Sequence, residues 1–349
     1  MVREAGAARR PLRFRGGGTK DFYGERLDGE ILDTRSYNGI VSYDPTELVV
    51  TARCGTPLAD LESALADAGQ MLACEPPHFQ AGAKATLGGA VAAGLSGPRR
   101  ASAGALRDFV LGATLMDGHG RVLRFGGQVM KNVAGYDLSR LMVGSLGTLA
   151  LLLELSLKTL PRPVEEATLG LEMALQQALE ALHRWVGAGA PVSGSAWYAG
   201  QMRIRLSGAA SAVAAARALV GGALVAEPEA SAFWRRLRDQ EEPFFRTEGP
   251  LWRISLPATV PGDALSTLGG ESLAEWGGAL RWLRTGAAAT PVRDAVAAVG
   301  GHATLFRGRT DSSPVFHPLS PVLTSLHRRL KAAFDPFGIF NPGRMYLDL

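Results

Sequence analysis

Three glycine-rich patches in the first 150 residues could bind a phosphate-bearing ligand. They are Arg15-Gly-Gly-Gly-Thr-Lys20, the segment from Gly82 to Gly97 that contains Thr86-Leu-Gly-Gly89, and Gly144-Ser-Leu-Gly-Thr148. Glycine permits positive φ and close approach of a ligand to the backbone, and successive N–H groups that face one point form an anion-binding concavity. Together with Asn341-Pro-Gly343, the patches predict one long dinucleotide-like ligand.

The amino-acid composition restricts the kinds of function that this chain can have. The chain has 349 residues, of which 46% are hydrophobic and 20% are charged, as in a globular protein with room for two domains. The net charge of +4 and a few arginines near Met1 give little support for nucleic-acid binding. We therefore expect no nucleic-acid partner.

The cysteines and the apolar runs limit the cofactors and the location. Two cysteines, Cys54 and Cys74, are too few for an iron–sulfur cluster or a structural zinc site. The longest apolar run, Leu146 to Leu157, is shorter than the roughly 20 residues of a membrane span. Met1 to Arg15 has no apolar signal run. We expect no metal, no membrane span and a cytoplasmic location.

The elements that would position the glycine patches can be read from local signals. Thr56-Pro57 followed by leucines at helical spacing predicts a helix that ends near Gly69. Asp117-Gly-His-Gly120 predicts a hairpin turn between two strands. Pro161-Arg-Pro163 predicts a domain boundary, and a last helix is expected from Ser320 to Phe334.

The order of these motifs resembles the FAD-binding domain of the PCMH type, also called vanillyl-alcohol oxidase-like. Arg107-Asp108, Gly135-Tyr-Asp-Leu138 and the tail from Phe334 to Gly343 add to the resemblance. It implies an α+β fold with three parts. These are a two-part FAD-binding PCMH-type domain (1–161), an α/β cap domain (162–310) and a C-terminal segment (311–349) that returns to the flavin.

The resemblance also implies which residues contact FAD. In this family, backbone donors of the first glycine patch and of Thr86-Leu-Gly-Gly89 hold the pyrophosphate. The expected contacts are Arg15, Gly16, Gly17, Gly18, Thr19, Lys20, Pro77, Gly82, Thr86, Gly88, Gly89, Gly97, Arg107, Lys131, Asn132, Tyr136, Gly144, Gly147, Thr148 and Asn341. Some members attach FAD to a histidine after the first glycine pair. Because Thr19 follows Gly17-Gly18 here, we expect FAD to be bound non-covalently.

Within this family, Lys131-Asn-Val-Ala-Gly-Tyr-Asp137 and Phe337 to Arg344 are similar to the E subunits of bacterial glycolate oxidases (glycolate dehydrogenases). This implies an FAD-dependent oxidoreductase subunit that passes electrons from glycolate, directly or through a sister flavin subunit, towards an iron–sulfur subunit and quinone. The implied partners are a larger flavin subunit, an iron–sulfur subunit and a small 2-hydroxy acid. Any contact with the inner membrane would be peripheral, through the complex.

The catalytic residues cannot be named from the sequence. Related D-2-hydroxy-acid dehydrogenases carry Gly-Asp-Gly-Asn and Glu-His-Gly motifs, and neither occurs in this sequence. Arg253 and Arg281 are candidates for binding a substrate carboxylate, because a guanidinium can donate to both oxygens. Each arginine could instead occupy an outward, solvated strand position. Two rival functions stay open: a self-sufficient FAD-dependent hydroxy-acid or sugar oxidoreductase, and a structural subunit with a non-catalytic flavin.

Overall fold

The computed structural model describes residues 1–79, 84–127, 137–309 and 313–349. The helices, in chain order, are α1 (Val2–Ala7), α2 (Leu58–Asp67), α3 (Leu87–Ala93), α4 (Arg100–Ala103), α5 (Leu106–Phe109), α6 (Leu138–Leu141), α7 (Leu175–Gly187), α8 (Ala210–Val220), α9 (Glu229–Arg238), α10 (Pro243–Arg246), α11 (Ala289–Ala298) and α12 (Pro321–Phe334). Short 3₁₀ helices occur at Ser266–Leu268 and Trp276–Gly278. None of the helices in these ranges is long and apolar enough to cross a membrane.

The strands make up the rest of the regular structure. They are β1 (Leu12–Arg15), β2 (Glu30–Asp33), β3 (Ile40–Asp44), β4 (Val49–Arg53), β5 (Gln70–Met71), β6 (Val110–Met116), β7 (Val122–Gly126), β8 (Leu151–Lys158), β9 (Leu160–Pro161), β10 (Glu165–Glu172), β11 (Val192–Tyr198), β12 (Gln201–Gly208), β13 (Ala223–Val225), β14 (Leu251–Ser255), β15 (Glu271–Glu275), β16 (Leu280–Arg284) and β17 (His302–Arg307).

Backbone contacts divide the described residues into two compact units. Unit 1 consists of Met1–Ser96, Gly104–Pro161 and Pro318–Leu349, and unit 2 consists of Gly97–Ala103 and Arg162–His317. The predicted first domain, residues 1–161, includes residues 97–103. They group with unit 2 because α4 packs against β11 and against the 3₁₀ helix at Trp276–Gly278.

Unit 1 contains an antiparallel sheet of order β3-β4-β8-β6-β7 in the described part of the chain. β6 and β7 form the predicted hairpin, and the Asp117 carboxylate holds its turn by accepting from the N–H groups of His119 and Arg121 at 3.0 and 2.9 Å. β1 and β2 form a separate parallel pair. The basic start of the chain is folded, because Val2 and Ala5 of α1 are buried in this unit's core.

Unit 2 contains an antiparallel sheet of order β13-β10-β12-β11-β15-β16-β14-β17 among the described residues. The alternation of Met202 to Leu206 fits its place in β12, where Ile204 and Leu206 are buried with helices α7 and α8. A second core lies under α11 around Trp252 and Ile254 of β14. This unit therefore has a sheet with helices packed on it.

Candidate functional site

The first glycine patch presents a row of backbone donors without partners. In β1, the N–H of Leu12 donates to the carbonyl of Ile339 at 2.7 Å, and the N–H of Phe14 donates to Oδ1 of Asn341 at 2.8 Å. The next four N–H groups, in the range 16–19, donate to none of the described residues. Backbone N–H groups in folded proteins are nearly always paired. Four successive unpaired donors therefore mark a place where an anion can bind.

The glycines of this patch are required by the protein itself. A Cβ on Gly16 would lie 2.2 Å from Oγ1 of Thr86, and a Cβ on Gly17 would lie 1.8 Å from the carbonyl oxygen of Lys84. The first patch thus rests directly on the segment before α3. Any side chain at either position would push the unpaired N–H groups away from their present places.

The backbone N–H groups of the second patch donate to acceptors within the protein. The N–H groups of Leu87 and Gly88 donate to the carbonyls of Thr56 and Cys54 at 2.9 and 2.8 Å. Thr86 is the N-cap of α3 and accepts from the N–H of Gly89 at 3.2 Å. The resemblance implied that backbone N–H groups of this patch hold the pyrophosphate. Those of Leu87, Gly88 and Gly89 are instead bonded within the protein. This patch provides a surface for the first patch.

The third patch meets the C-terminal segment. The N–H of Leu146 donates to the carbonyl of Ala92 at 2.8 Å, and its carbonyl accepts from Nδ2 of Asn341 at 2.6 Å. Gly147 has a φ of +70°, and its N–H donates to none of the described residues. A Cβ there would lie 2.7 Å from Nδ2 of Asn341. The third patch thus adds one more unpaired donor.

These segments surround a cleft with two neighbouring lobes within unit 1. The first lobe has a cavity volume of about 90 Å³ and the second of about 70 Å³. The first is lined by Phe14, Arg15, Gly16, Gly17, Gly18, Thr19, Lys20, Asp21, Leu27, Thr86, Gly89, Ala92, Ala93, Leu146, Asn341 and Arg344. The second shares the Gly16 end and Asn341, and it extends past Gly88, Gly147 and Cys54.

The first lobe is electropositive. Arg15, Lys20 and Arg344 line it, and Asp21 is the acidic residue in the same lining. The Asp21 carboxylate accepts from Nη2 of Arg13 at 2.6 Å and from Nε of Arg15 at 3.0 Å. Burial lowers the pKa of Arg344 to about 10, so this guanidinium is cationic at neutral pH. A diphosphate group suits this combination of cations and unpaired N–H groups.

Arg344 and Asp21 are site residues that the sequence reasoning missed. Nη2 of Arg344 donates to the carbonyls of Lys20 and Asp21 at 3.1 and 2.9 Å. Arg344 thereby fixes the end of the first patch from the C-terminal segment. Its position directly after Asn341-Pro-Gly343 was the available signal, whereas nothing local marked Asp21.

The structure brings about half of the predicted FAD contacts to the cleft. The predicted residues that line it are Arg15, Gly16, Gly17, Gly18, Thr19, Lys20, Thr86, Gly88, Gly89, Gly147 and Asn341. Gly82, Lys131, Asn132 and Tyr136 lie outside the described residues.

Five predicted contacts do not line these two lobes. Gly144 and Thr148 line a different cavity of unit 1. Pro77 is buried, and Arg107 is exposed beside Asp108. Gly97 belongs to unit 2, where its carbonyl accepts from Nε1 of Trp276 at 3.0 Å.

Arg281, the second predicted substrate contact, donates to backbone carbonyls within unit 2. It is buried, and its guanidinium donates to the carbonyls of Val260 at 2.6 Å and Pro261 at 2.8 Å, with longer bonds to Gly262 and Gly278. Burial lowers its pKa. Its two terminal nitrogens therefore hold the loop after β14, and Nε donates to Gly278 before β16.

Arg253 occupies a different environment in unit 2. Its guanidinium carbon lies 5.4 Å from the ring centre of Trp276, and that of Arg100 lies 4.5 Å from the same ring. Burial, followed by the charges of Arg253 and His317, lowers the pKa of His302. Arg253 and Arg100 thus both lie against the ring of Trp276. Its role as a carboxylate ligand stays a prediction.

Other reactive groups are few in the described ranges. No group of three His, Cys, Asp or Glu side chains that could hold a metal ion occurs there. The Cys54 thiol lines the second lobe, but burial raises its pKa. A thiol in this state is a poor nucleophile.

Comparisons with known proteins identify the family of this chain. The family described as "FAD binding domain" matches residues 1–126, and that described as "FAD linked oxidases, C-terminal domain" matches residues 308–345. The chain is 50% identical over 349 residues to "Glycolate oxidase subunit GlcE" of Escherichia coli (strain K12), covering 100% of the chain and 96% of the relative. It is 33% identical over 153 residues to "Glycolate oxidase subunit GlcD" of Bacillus subtilis (strain 168), covering 44% and 31%.

A solved structure shares the fold. Alkyldihydroxyacetonephosphate synthase superposes with a TM-score of 0.70 at 16% sequence identity, covering 98% of this chain and 74% of that one. At this identity, the similarity supports the fold alone.

Proposed function

The chain belongs to the GlcE family of FAD-linked oxidase subunits, and from this we propose how it contributes to glycolate oxidation. The α+β fold of the PCMH type and the FAD cofactor, both predicted from the sequence, are confirmed. The chain is an FAD-dependent oxidoreductase subunit. Its contacts with FAD, its electron donor and its partners are the parts that we propose.

The unpaired N–H groups of residues 16–19 carry the proposal for the cofactor site. They would hold the pyrophosphate, and Arg15 and Lys20 would balance its charge. Gly147 and Asn341 would contact the cofactor at the second lobe. When bound, FAD supplies the capacity to accept an electron pair and to pass it on. The attachment is non-covalent, since Thr19 stands where some relatives carry histidine and Cys54 is buried.

The two units have separate roles in this proposal. Unit 1 is the FAD-binding domain, completed by the C-terminal segment that supplies Asn341 and Arg344. Unit 2 is the cap, and Arg253 is its candidate for binding the substrate carboxylate. No general base has been identified among the described residues of the cleft, whose lining contains no histidine.

We propose that this subunit relays electrons between partners. They originate from glycolate, reach this chain through a larger flavin subunit, and pass to an iron–sulfur subunit and then to quinone. A partner is needed for the last steps because two cysteines cannot hold an iron–sulfur cluster. We expect the complex to lie in the cytoplasm. Any contact with the membrane would be made by its partner subunits.

A spectroscopic experiment separates this proposal from its rivals. The purified chain is scanned for flavin absorbance and then titrated anaerobically with glycolate, alone and with the larger flavin subunit. We expect a flavin spectrum from the isolated chain and bleaching only when the larger subunit is present. Bleaching of the chain alone would support a self-sufficient oxidoreductase. A partner-assembling chain that never holds flavin would support a structural subunit.

A further inference from the structure

One loop of unit 1 lines both the proposed FAD cleft and a second cavity. Leu146 and Gly147 line the cleft, whereas other residues of the same loop line a cavity of about 180 Å³. We call this cavity the α12 pocket. It is lined by Leu141, Val143, Gly144, Ser145, Thr148, Leu149, His327, Leu330 and Met345. A group that enters the α12 pocket therefore comes within one loop of the FAD cleft.

Ser145 gives the α12 pocket an unsatisfied polar group. The residue is 5% exposed, and its hydroxyl has no hydrogen-bond partner among the described residues. The hydroxyl of Thr148, on the same loop, is satisfied because it donates to the carbonyl of Ser145 at 2.7 Å. A buried hydroxyl without a partner costs free energy. The Ser145 hydroxyl therefore indicates that a polar atom from another molecule completes this pocket.

An exposed apolar stripe on α12 leads to the pocket. Val322 is 77% exposed, Leu323 is 45% exposed and Leu326 is 47% exposed. Leu326 and Leu330 lie four residues apart, and Leu323 and Leu330 lie seven apart, so these side chains share one side of the helix. The other end of α12 is anchored through the buried Lys331 and Phe334. Clustered exposed apolar groups of this kind are typical of interaction sites.

The charge beside the stripe favours an acidic partner. Arg329 is exposed and lies three residues after Leu326 and seven after Val322, on the same side of the helix. It forms no ion pair within the described ranges, whereas Arg328 is paired with Asp348. A carboxylate on the partner would pair with Arg329 and would steer the encounter.

We propose that Val322, Leu323 and Leu326, together with the α12 pocket, form the docking surface for an electron-accepting partner subunit. This rests on the proposed function. The partner presents an apolar side chain that enters the pocket, a polar atom that pairs with Ser145 and a carboxylate for Arg329. Docking here brings the acceptor close to the FAD cleft, because residues of the loop Gly144–Thr148 line both the pocket and the cleft. The iron–sulfur subunit of the complex has the required redox role.

The test measures binding of the FAD-loaded chain to the iron–sulfur subunit. Leu326→Glu places a charge in the stripe and is expected to weaken binding at least 10-fold, with the flavin spectrum and the melting temperature retained. Leu219→Glu is the matched control, since Leu219 is 51% exposed on helix α8 of unit 2. We expect this variant to bind within twofold of the wild type.

Three results would overturn the docking surface. The first is unchanged binding of Leu326→Glu to the iron–sulfur subunit. The second is loss of binding to the larger flavin subunit instead. The third is a change in self-association, which would make a second copy of this chain the occupant. A wild-type chain that holds no flavin contradicts the proposed function itself, so the two failures can be told apart.

Discussion

Oδ1 of Asn341 accepts a hydrogen bond from the backbone N–H of Phe14 at 2.8 Å, across 327 positions of the sequence. The same amide donates to the carbonyl of Leu146 at 2.6 Å. One side chain thus joins the strand that leads into the first glycine patch to the loop of the third. Its backbone φ of +42° lies in the left-handed region, which asparagine tolerates better than most residues. The cleft keeps its shape through this residue.

We predict that Asn341→Ala destabilises the chain and weakens FAD binding. The variant leaves the Phe14 N–H and the Leu146 carbonyl without partners, which costs about 2 kcal/mol or more in the free energy of unfolding. Urea denaturation and FAD titration measure the two effects. Asn38→Ala is the control, because the Asn38 amide makes an exposed bond to Arg35. Equal stabilities of the two variants would contradict the role of Asn341 as a clamp.

Gly17→Ala is expected to weaken FAD binding more than 10-fold while the fold survives. The added methyl would lie 1.8 Å from the carbonyl oxygen of Lys84, so the first patch must move and its N–H groups lose their alignment. Flavin absorbance per chain and an FAD titration measure the loss. Gly187→Ala is the control, since a Cβ there meets nothing within 4 Å. Normal FAD affinity in Gly17→Ala would exclude the first patch as the pyrophosphate site.

Lys331→Met should be one of the most damaging single changes in unit 1. Nζ of Lys331 lies 2.8 Å from the buried Asp335 carboxylate and donates to the carbonyls of Thr148 and Phe340, each at 2.7 Å. Removing the ammonium leaves Asp335 buried without its cation, at a cost of about 3–5 kcal/mol. Thermal and urea unfolding measure the change.

The control for Lys331 is an exposed ion pair. Arg328→Ala removes the pair with Asp348, in which both side chains are more than half exposed. Such surface pairs contribute about 1 kcal/mol or less. If Lys331→Met were no more harmful than Arg328→Ala, the buried network would not be holding the C-terminal segment on the third glycine patch.

Both thiols are expected to resist modification in the folded chain. Burial raises the pKa of Cys54 and of Cys74, so neither forms a thiolate at pH 8, and both side chains are inaccessible. A thiol-reactive chromogenic reagent should label neither residue in the native protein. Both should react after unfolding in urea. Rapid labelling of Cys54 in the native protein would show that the second lobe opens at this residue.

Arg281→Leu and Arg253→Leu should separate a structural from a functional arginine. Arg281→Leu leaves the carbonyl of Val260 unpaired and removes one of two donors to the carbonyl of Pro261, so we expect a loss of about 2 kcal/mol in unfolding free energy. Arg253→Leu should change stability less. It should instead raise the glycolate concentration needed to bleach the flavin in the reconstituted complex. Unchanged glycolate dependence would remove Arg253 from the substrate site.

The sequence by itself determined the features that depend on local chemistry. Glycine content restricts what a segment can do, so the three patches could be located before any fold was known. The helix after Thr56-Pro57 and the hairpin turn at Asp117-Gly-His-Gly120 follow from capping and turn preferences that act within a few residues. The order of these motifs was sufficient for the family and the cofactor.

Only the tertiary structure decided which of the three glycine patches keeps unpaired backbone N–H groups. All three are rich in glycine, yet residues 16–19 keep unpaired N–H groups, whereas Leu87, Gly88 and Gly89 donate inside the protein. The accepting carbonyls, such as those of Thr56 and Cys54, lie about 30 residues away in the sequence. Composition cannot show whether a donor will meet such a distant acceptor.

The same reason separates the residues that sequence reasoning grouped together. Arg253 and Arg281 both lie on strands of unit 2 and have the same chemistry, but only Arg281 is enclosed by the carbonyls of the loop after β14. Asn341 and Arg344 reach the first patch because the chain returns to it more than 300 residues later. The free energy of a hydrogen bond or of a buried charge depends on its neighbours in space, and the fold sets those neighbours.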